Sequence, residues 1–203
     1  MTPERRYFQQ APKLETRADA KGSTISGYAA VFYDGTPETE FVMWPGMVER
    51  FLPGAFDETV KADDIRCLFN HDPSLILGRT KSKTLVLSID SRGLAYVCTP
   101  PDAPNGQNAM AAISRGDVDG SSIGMIVQGE DWTEDKVRGV IIRSIAKVQL
   151  FDASPVVYPA YAGTSSEVRE CRSLLDARVQ ATLGRNLSAE LRRLEIQRLG
   201  QSG

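Results

Sequence analysis

Short apolar runs separated by polar turns dominate residues 23 to 161 of the chain. The runs are rich in β-branched and aromatic side chains, which is typical of strands. Gly, Pro and Asp stand between them at positions where tight turns need them, as in Asp90-Ser91-Arg92-Gly93. The predicted strands cover residues 24–33, 47–51, 65–70, 75–79, 85–89, 94–98, 121–128 and 139–150. We therefore expect a mainly β fold with some α-helix (α+β), a compact antiparallel barrel of about seven strands.

Helical patterns are fewer and lie at defined places. A short helical or looped excursion follows Pro53-Gly54, and the Ala-rich stretch 108–115 predicts a helix that ends at Gly116. After Gly163 the pattern changes to apolar residues at helical spacing. We expect three parts: a flexible N-terminal segment at 1–22, a folded domain at 23–163, and a helical tail at 164–203.

Composition narrows the function classes. The chain of 203 residues is 41% hydrophobic and 25% charged, which is enough to build a packed core. The net charge of the chain is -2, which gives no indication of the basic face that nucleic-acid-binding proteins use. No apolar run approaches the roughly 20 residues that span a bilayer, and the polar N-terminus is not a secretory signal. We expect a cytosolic protein without nucleic-acid or membrane partners.

The three cysteines, Cys67, Cys98 and Cys171, are an odd number at wide spacings. This pattern fits neither a disulfide framework nor a zinc site. Cys67 and His71 are four residues apart, which suits a metal only on a helix, whereas their segment is a predicted strand. We expect no metal and no cofactor. A cysteine nucleophile at Cys67 or Cys98 is an alternative, although apolar alternation favours a buried, inert thiol there.

His71 is the only histidine in the chain, in Asn70-His71-Asp72 at the end of a predicted strand. Histidine is the usual base for activating a serine hydroxyl because its unperturbed pKa is about 6.5. If His71 is such a base, activity should fall on acidification through its pKa. A histidine that simply caps a loop is the structural alternative.

Candidate partners for His71 lie far downstream. Ser122 is favoured over Ser121 as a nucleophile because small residues around it allow a substrate backbone to approach closely. Asp152, at the end of a predicted strand, is the candidate acid. Asp72 competes with it, but adjacent side chains of an extended segment point to opposite faces. Turn formation at Gly120-Ser121 and turn capping by Asp152 are the structural alternatives.

Several segments together resemble a known family. In chain order they are residues 27–32, 49–56, 68–72, 77–79, 90–94, 115–125, 150–157 and 159–161. No single segment is specific, but their order across the chain is. The chain resembles the prohead (capsid maturation) proteases of tailed phages, serine peptidases with a fold like the herpesvirus assembly protease.

The resemblance implies roles for the candidate residues. His71 would be the general base, Ser122 the nucleophile and Asp152 the third member. The family more often has Glu at the third position and an aromatic residue where this chain has Ile123. The oxyanion hole is left open between backbone groups near Gly124 and the side chain of Arg143.

The resemblance also implies a biological setting. The expected enzyme is a serine endopeptidase inside the immature prohead in the host cytoplasm. Its partners would be the major capsid protein and its scaffold segment, a homo-dimer or oligomer is possible, and it would also cut itself. A catalytically inactive relative that acts as a scaffold or interaction module is the alternative from another class, and a cysteine hydrolase is the second.

Overall fold

A computed structural model describes residues 3–8, 13–16, 23–158 and 184 of the chain. The strands of these residues are β1 (Glu4–Phe8), β2 (Lys13–Thr16), β3 (Ser23–Val31), β4 (Phe41–Trp44), β5 (Met47–Phe51), β6 (Arg66–Phe69), β7 (Asp72–Arg79), β8 (Leu85–Ile89), β9 (Gly93–Cys98), β10 (Gly120–Asp135) and β11 (Val140–Val156). The helices are α1 (Asp57–Ala62) and α2 (Pro104–Arg115), with a single 3-10 turn at Pro37–Thr39.

The larger sheet is built around β11. One edge of β11 pairs antiparallel with β10 along nearly its whole length, and β10 in turn pairs antiparallel with β1. The other edge is shared: β5 runs parallel to residues 141–145, and β6 runs parallel to β11 at Asp152. β4 pairs with β5, and β7 pairs with β6. Three sequence-distant segments thus meet around the C-terminal end of β11.

The smaller sheet has the strand order β2, β3, β9, β8, with all pairs antiparallel. The turn between β8 and β9 brings Gly93 against β3, where an added Cβ would lie 2.2 Å from the Ala30 carbonyl oxygen. Only glycine allows this close approach. Apolar side chains of both sheets form one core, which includes Ile25, Leu94, Ile123 and Ile145.

The predicted fold class is confirmed in its coarse form, since the described residues are mainly β with two α-helices. The predicted strands at 47–51 and 85–89 have the observed bounds. Helix α2 ends at Arg115, and Gly116 caps it as predicted, with a φ of 80° in the left-handed region. The antiparallel barrel is not confirmed. The described strands form two sheets without barrel closure, and two of the pairings are parallel.

Other differences concern the ends of the chain and the longest hairpin. Residues 1–22 were expected to be flexible, whereas Glu4–Phe8 and Lys13–Thr16 form strands. β10 extends to Asp135 through a predicted polar connection, and β11 continues past Leu150 to Val156. The predicted C-terminal helices lie outside the described residues, Gly184 excepted, and the three-part division remains a prediction. No helix among the described residues is long and apolar enough to cross a membrane.

Candidate active site

A tight hairpin between β6 and β7 presents His71. Phe69 pairs with Asp72, so Asn70 and His71 are the two central residues of the turn. Both have positive φ, 56° and 58°, which matches the twist of a two-residue hairpin. Asn tolerates this conformation well, and the Asn70 side chain is fixed because its Oδ1 accepts a hydrogen bond from the Val157 N–H at 2.7 Å. The turn is thereby attached to the end of β11.

The His71 ring contacts two predicted partners, one at each nitrogen. Its Nε2 lies 2.6 Å from the Ser122 Oγ, and its Nδ1 lies 2.5 Å from the Asp152 Oδ1. All three side chains are buried. The side chain of Asp152 is one methylene shorter than that of Glu, yet its carboxylate reaches the ring of His71. The chain positions 71, 122 and 152 are brought together in one hydrogen-bonded row.

Strand alternation separates Ser122 from Ser121. Successive side chains of a strand point to opposite faces. Ile123 is in the apolar core, and Ser121 shares that face, where its Oγ lies 3.1 Å from the buried Tyr96 hydroxyl. Ser122 is on the other face, with His71. Of the two neighbouring serines, only Ser122 contacts the histidine.

Gly124 makes room for the carboxylate of Asp152. The two residues are directly opposite in the ladder between β10 and β11. A Cβ on Gly124 would lie 2.3 Å from the Asp152 Oδ2, which is closer than real Cβ contacts allow. The sequence singled out Gly124 as a small neighbour of Ser122 and as a region of candidate oxyanion donors, but not as the residue opposite Asp152. Its position two residues from Ser122 on the same face was the available signal.

Ser154 is a site residue that sequence reasoning missed. Its hydroxyl donates to the Asp152 Oδ1 at 2.6 Å and accepts from the Leu68 N–H at 3.1 Å. It therefore holds the carboxylate and joins β11 to β6. The same Oδ1 receives hydrogen bonds from both Ser154 and the ring of His71, so the carboxylate has little freedom to rotate.

Asp72, the competing acid, points elsewhere. Its Oδ1 accepts hydrogen bonds from the Ser74 N–H at 2.8 Å and the Ser74 hydroxyl at 2.6 Å in an exposed turn. These bonds lower the pKa of Asp72, the Ser74 hydroxyl bond contributing most. Asp72 therefore stabilises the start of β7, and the carboxylate in contact with the histidine is that of Asp152.

Cys67 and Cys98 lie in the core and not at the histidine. Both are fully buried free thiols. A hydrogen bond with Cys98, together with burial, raises the pKa of Cys67 well above its usual value. A raised pKa disfavours the thiolate, which is the nucleophilic form. Cys171 lies outside the described residues. No group of three or more His, Cys, Asp or Glu in the described part of the chain is arranged to hold a metal ion.

Arg143, the candidate side chain for the oxyanion hole, is hydrogen-bonded within a group of charged side chains outside the row of Ser122, His71 and Asp152. Its guanidinium is fully buried and bonds to Glu4 and Glu49, both at 2.8 Å, and to Glu130 at 2.7 Å. Arg6 joins the same cluster through Glu49 at 2.9 Å. We call Glu4, Arg6, Glu49, Glu130 and Arg143 the ionic cluster. With its donors directed at three carboxylates, Arg143 has a structural role.

Comparison with known proteins adds the family. The family model of the caudovirus prohead serine proteases matches residues 12–177, which is more than half of the chain. The chain belongs to this family. The match spans the segments that contain His71, Ser122 and Asp152.

Two further comparisons are less informative than the prohead protease family model. A solved structure, the bacteriophage T4 capsid assembly protease gp21, is similar with a TM-score of 0.43 and 12% identity, covering 77% of this chain and 99% of that one. A similarity of this size carries no argument about the site. No curated protein matches the chain.

Proposed function

We propose that this prohead protease family member is a serine endopeptidase in which Ser122 is the nucleophile, His71 the general base and Asp152 the residue that orients it. The observation that carries the proposal is the continuous row from Ser122 Oγ through both ring nitrogens of His71 to Asp152. A serine hydroxyl needs such a base, and the base needs an orienting partner.

The geometry supports a specific proton path. With its proton on Nδ1, neutral His71 donates to Asp152, and its Nε2 accepts the proton of Ser122. Ser122 Oγ attacks the peptide carbonyl, and His71 becomes imidazolium next to the Asp152 carboxylate. The imidazolium then protonates the leaving amine, and water hydrolyses the acyl-enzyme by the same path. In this scheme the Asp152 carboxylate orients the ring and does not take its proton. The Ser154 hydroxyl donates to the Asp152 Oδ1 and keeps that oxygen directed at the ring.

The family membership supports a substrate class. The proposed substrate is the scaffold, or the scaffold-like segment of the major capsid protein, inside an immature prohead in the host cell. Cleavage of the protease itself is part of the same proposal. The proposed partners are these capsid components, together with a homo-dimer or oligomer of the protease. The proposed catalytic unit is residues 23–163, with residues 164–203 as a tail suited to attachment during assembly.

The test compares two neighbouring serines. Ser122→Ala should abolish labelling by a fluorophosphonate probe and processing of a co-expressed capsid precursor, because it removes the nucleophile. Ser121→Ala is the matched control: it removes a hydroxyl that contacts Tyr96 and should retain labelling. Processing that continues in the Ser122 variant would show that the nucleophile is elsewhere. Loss of activity on thiol alkylation of the wild type would favour a cysteine enzyme.

A further inference from the structure

β1 lies along the edge of β10 that passes the proposed nucleophile. The ladder pairs Tyr7 with Ser122 and Arg5 with Gly124. The opposite edge of β10 is filled by β11, which contributes Asp152, and the hairpin that presents His71 is attached to β11. The edge on the side of β1 is therefore the one from which an extended polypeptide could approach Ser122.

An extended peptide binds most simply by adding a strand to a sheet edge, where main-chain hydrogen bonds hold it. In an antiparallel ladder, alternate residues direct their N–H and C=O groups to the same neighbour. Between residues 121 and 125, the groups of β10 that face away from β11 are paired with β1. A peptide substrate would need these same groups.

The exposure of Ser122 gives a second, independent observation. Its side chain is 0% exposed, and that of Ser121 likewise. A nucleophile without exposed surface cannot contact a peptide carbonyl unless a neighbouring element moves. β1 is the terminal strand next to Ser122, and its removal breaks no pairing other than its own with β10.

We propose that β1 is an autoinhibitory strand: it occupies the peptide-binding edge of β10 and must leave before a polypeptide can reach Ser122. This inference rests on the proposed function, because it assumes that Ser122 acts on peptides. The occupant is a segment of the chain itself, and the substrate class is an extended polypeptide that pairs antiparallel with β10.

The ionic cluster holds β1 in place. Arg6 and Glu4 are the two members that β1 contributes. Arg6 donates to Glu49 of β5, and Glu4 accepts from Arg143 of β11. Glu49 and Arg143 also bond to each other at 2.8 Å. Glu49 and Arg143 therefore keep each other as partners when β1 departs.

Arg6→Ala in the full chain tests the proposal, with Arg5→Ala as the matched control. Arg5 is on the same strand but its side chain is exposed. Hydrogen exchange at those amides of residues 121–125 that bond to β1 should accelerate in the Arg6 variant by about tenfold or more, the factor for losing a charged hydrogen bond. Processing of the capsid precursor should accelerate as well. The Arg5 variant should resemble the wild type in both measurements.

A peptide adds a test that needs no catalysis. A synthetic peptide of residues 2–10 should restore the exchange protection of residues 121–125 when it is added to the Arg6→Ala, Ser122→Ala double variant. Failure to restore protection would overturn the proposal. If thermal unfolding shows that the alanine variant does not fold, Arg6→Lys replaces it. Lysine keeps the positive charge but cannot form the bidentate hydrogen bond to Glu49.

The outcomes separate this inference from the proposed function. If the Arg6 variant exchanges faster but processes the precursor no faster, β1 is a structural strand and the inference is wrong. Unchanged exchange would also overturn it, because β1 would not be held by the cluster. If wild type and variant both resist the fluorophosphonate probe while the edge opens, it is the proposed nucleophile that fails.

Discussion

At the scale of single residues, Gly124 leaves the space that the Asp152 carboxylate occupies on the neighbouring strand. Gly124→Ala should lower the processing rate by about 100-fold, the cost of misplacing a catalytic group by about 1 Å. The reason is the contact of 2.3 Å between the new Cβ and the Asp152 Oδ2, which forces the carboxylate away from His71. The measurements are the rate of precursor processing and the rate of fluorophosphonate labelling, which should fall together.

Gly129→Ala is the control for this prediction. Gly129 is on the same strand, and a Cβ there would meet the Lys147 Cβ at 3.2 Å, a contact that a small shift relieves. Labelling of this variant should stay near the wild-type rate. Equal losses in the two variants would indicate a general effect on β10 and not displacement of Asp152.

Asp152 itself supports a second prediction at this scale. Asp152→Asn should lower the rate of precursor processing by about 10⁴-fold, because the neutral amide no longer favours the tautomer with the Nδ1 proton. Asp152→Glu keeps the charge and should retain more activity than the amide. Asp72→Asn is the control, since that carboxylate bonds only to Ser74 in the turn, and its activity should be unchanged.

The residue chemistry was predictable only in part. His71 could be singled out because it is the only histidine, and Ser122 because small residues surround it. Ser154 could not be anticipated, since its role depends on β6 lying parallel to β11, which brings the Leu68 N–H to its hydroxyl. A serine before a proline carries no signal of that contact. Side chains that support others depend on tertiary pairing more than on sequence neighbours.

At the scale of elements, the hairpin of Asn70 and His71 sets the direction of the ring. Asn70 meets two requirements: a positive φ of 56°, and an acceptor for the Val157 N–H. Asn70→Asp should keep both and retain activity. Asn70→Gly keeps only the backbone conformation, and Asn70→Ala keeps neither.

The expected order of activity is therefore Asp, then Gly, then Ala. The alanine variant should also lose about 1 to 2 kcal/mol of stability, the cost of a strained positive φ. Precursor processing and the free energy of unfolding check the two parts. If the three variants have equal activity, the turn does not control the position of His71.

The presence of most strands could be predicted from the sequence, but their lengths less well. Apolar alternation located β5 and β8 with their observed bounds. It ended β10 too early because residues 129–135 are mostly polar, yet they pair with Val140 to Lys147 of β11 as a long hairpin. Cross-strand pairing with an apolar partner strand overrode the local preference there.

At the scale of the whole molecule, the ionic cluster couples stability to acid. Burial acts to raise the pKa of Glu4, but the hydrogen bond and charge of Arg143 and the charge of Arg6 outweigh it and lower the pKa to about 2. Because the pKa of Glu4 is lower in the folded state, its ionised carboxylate stabilises that state fully at pH values above 4.5, the pKa in the unfolded chain. This stabilisation is lost as the pH falls to about 2. The largest stabilisation this shift allows is about 3 kcal/mol.

Glu4→Gln should therefore reduce the free energy of unfolding near neutral pH and change it little near pH 2, where the wild-type carboxylate is half protonated. Denaturant unfolding at a series of pH values measures this difference. Glu38→Gln, an exposed carboxylate outside the cluster, is the control. A difference between wild type and the Glu4 variant that is independent of pH would contradict the assignment.

The overall arrangement was the least predictable feature. Apolar runs in even succession are typical of an antiparallel barrel, but β5 and β6 reach β11 in parallel after long connections. Nothing in the alternation of a strand encodes the direction of its partner, because parallel and antiparallel neighbours bury similar faces. β1 was missed for a related reason: its inward residues are charged, and only the partners in the ionic cluster explain their burial.

That the chain holds one imidazole has a practical spectroscopic consequence. A nitrogen-15 spectrum of the ring would contain the signals of His71 alone, without assignment by mutation, provided that purification avoids a polyhistidine tag. The two ring nitrogens have different partners, a carboxylate and a hydroxyl. Their nitrogen-15 chemical shifts would therefore show which nitrogen carries the proton and whether both do. Every proton that enters or leaves the proposed machinery could thus be followed at a single residue.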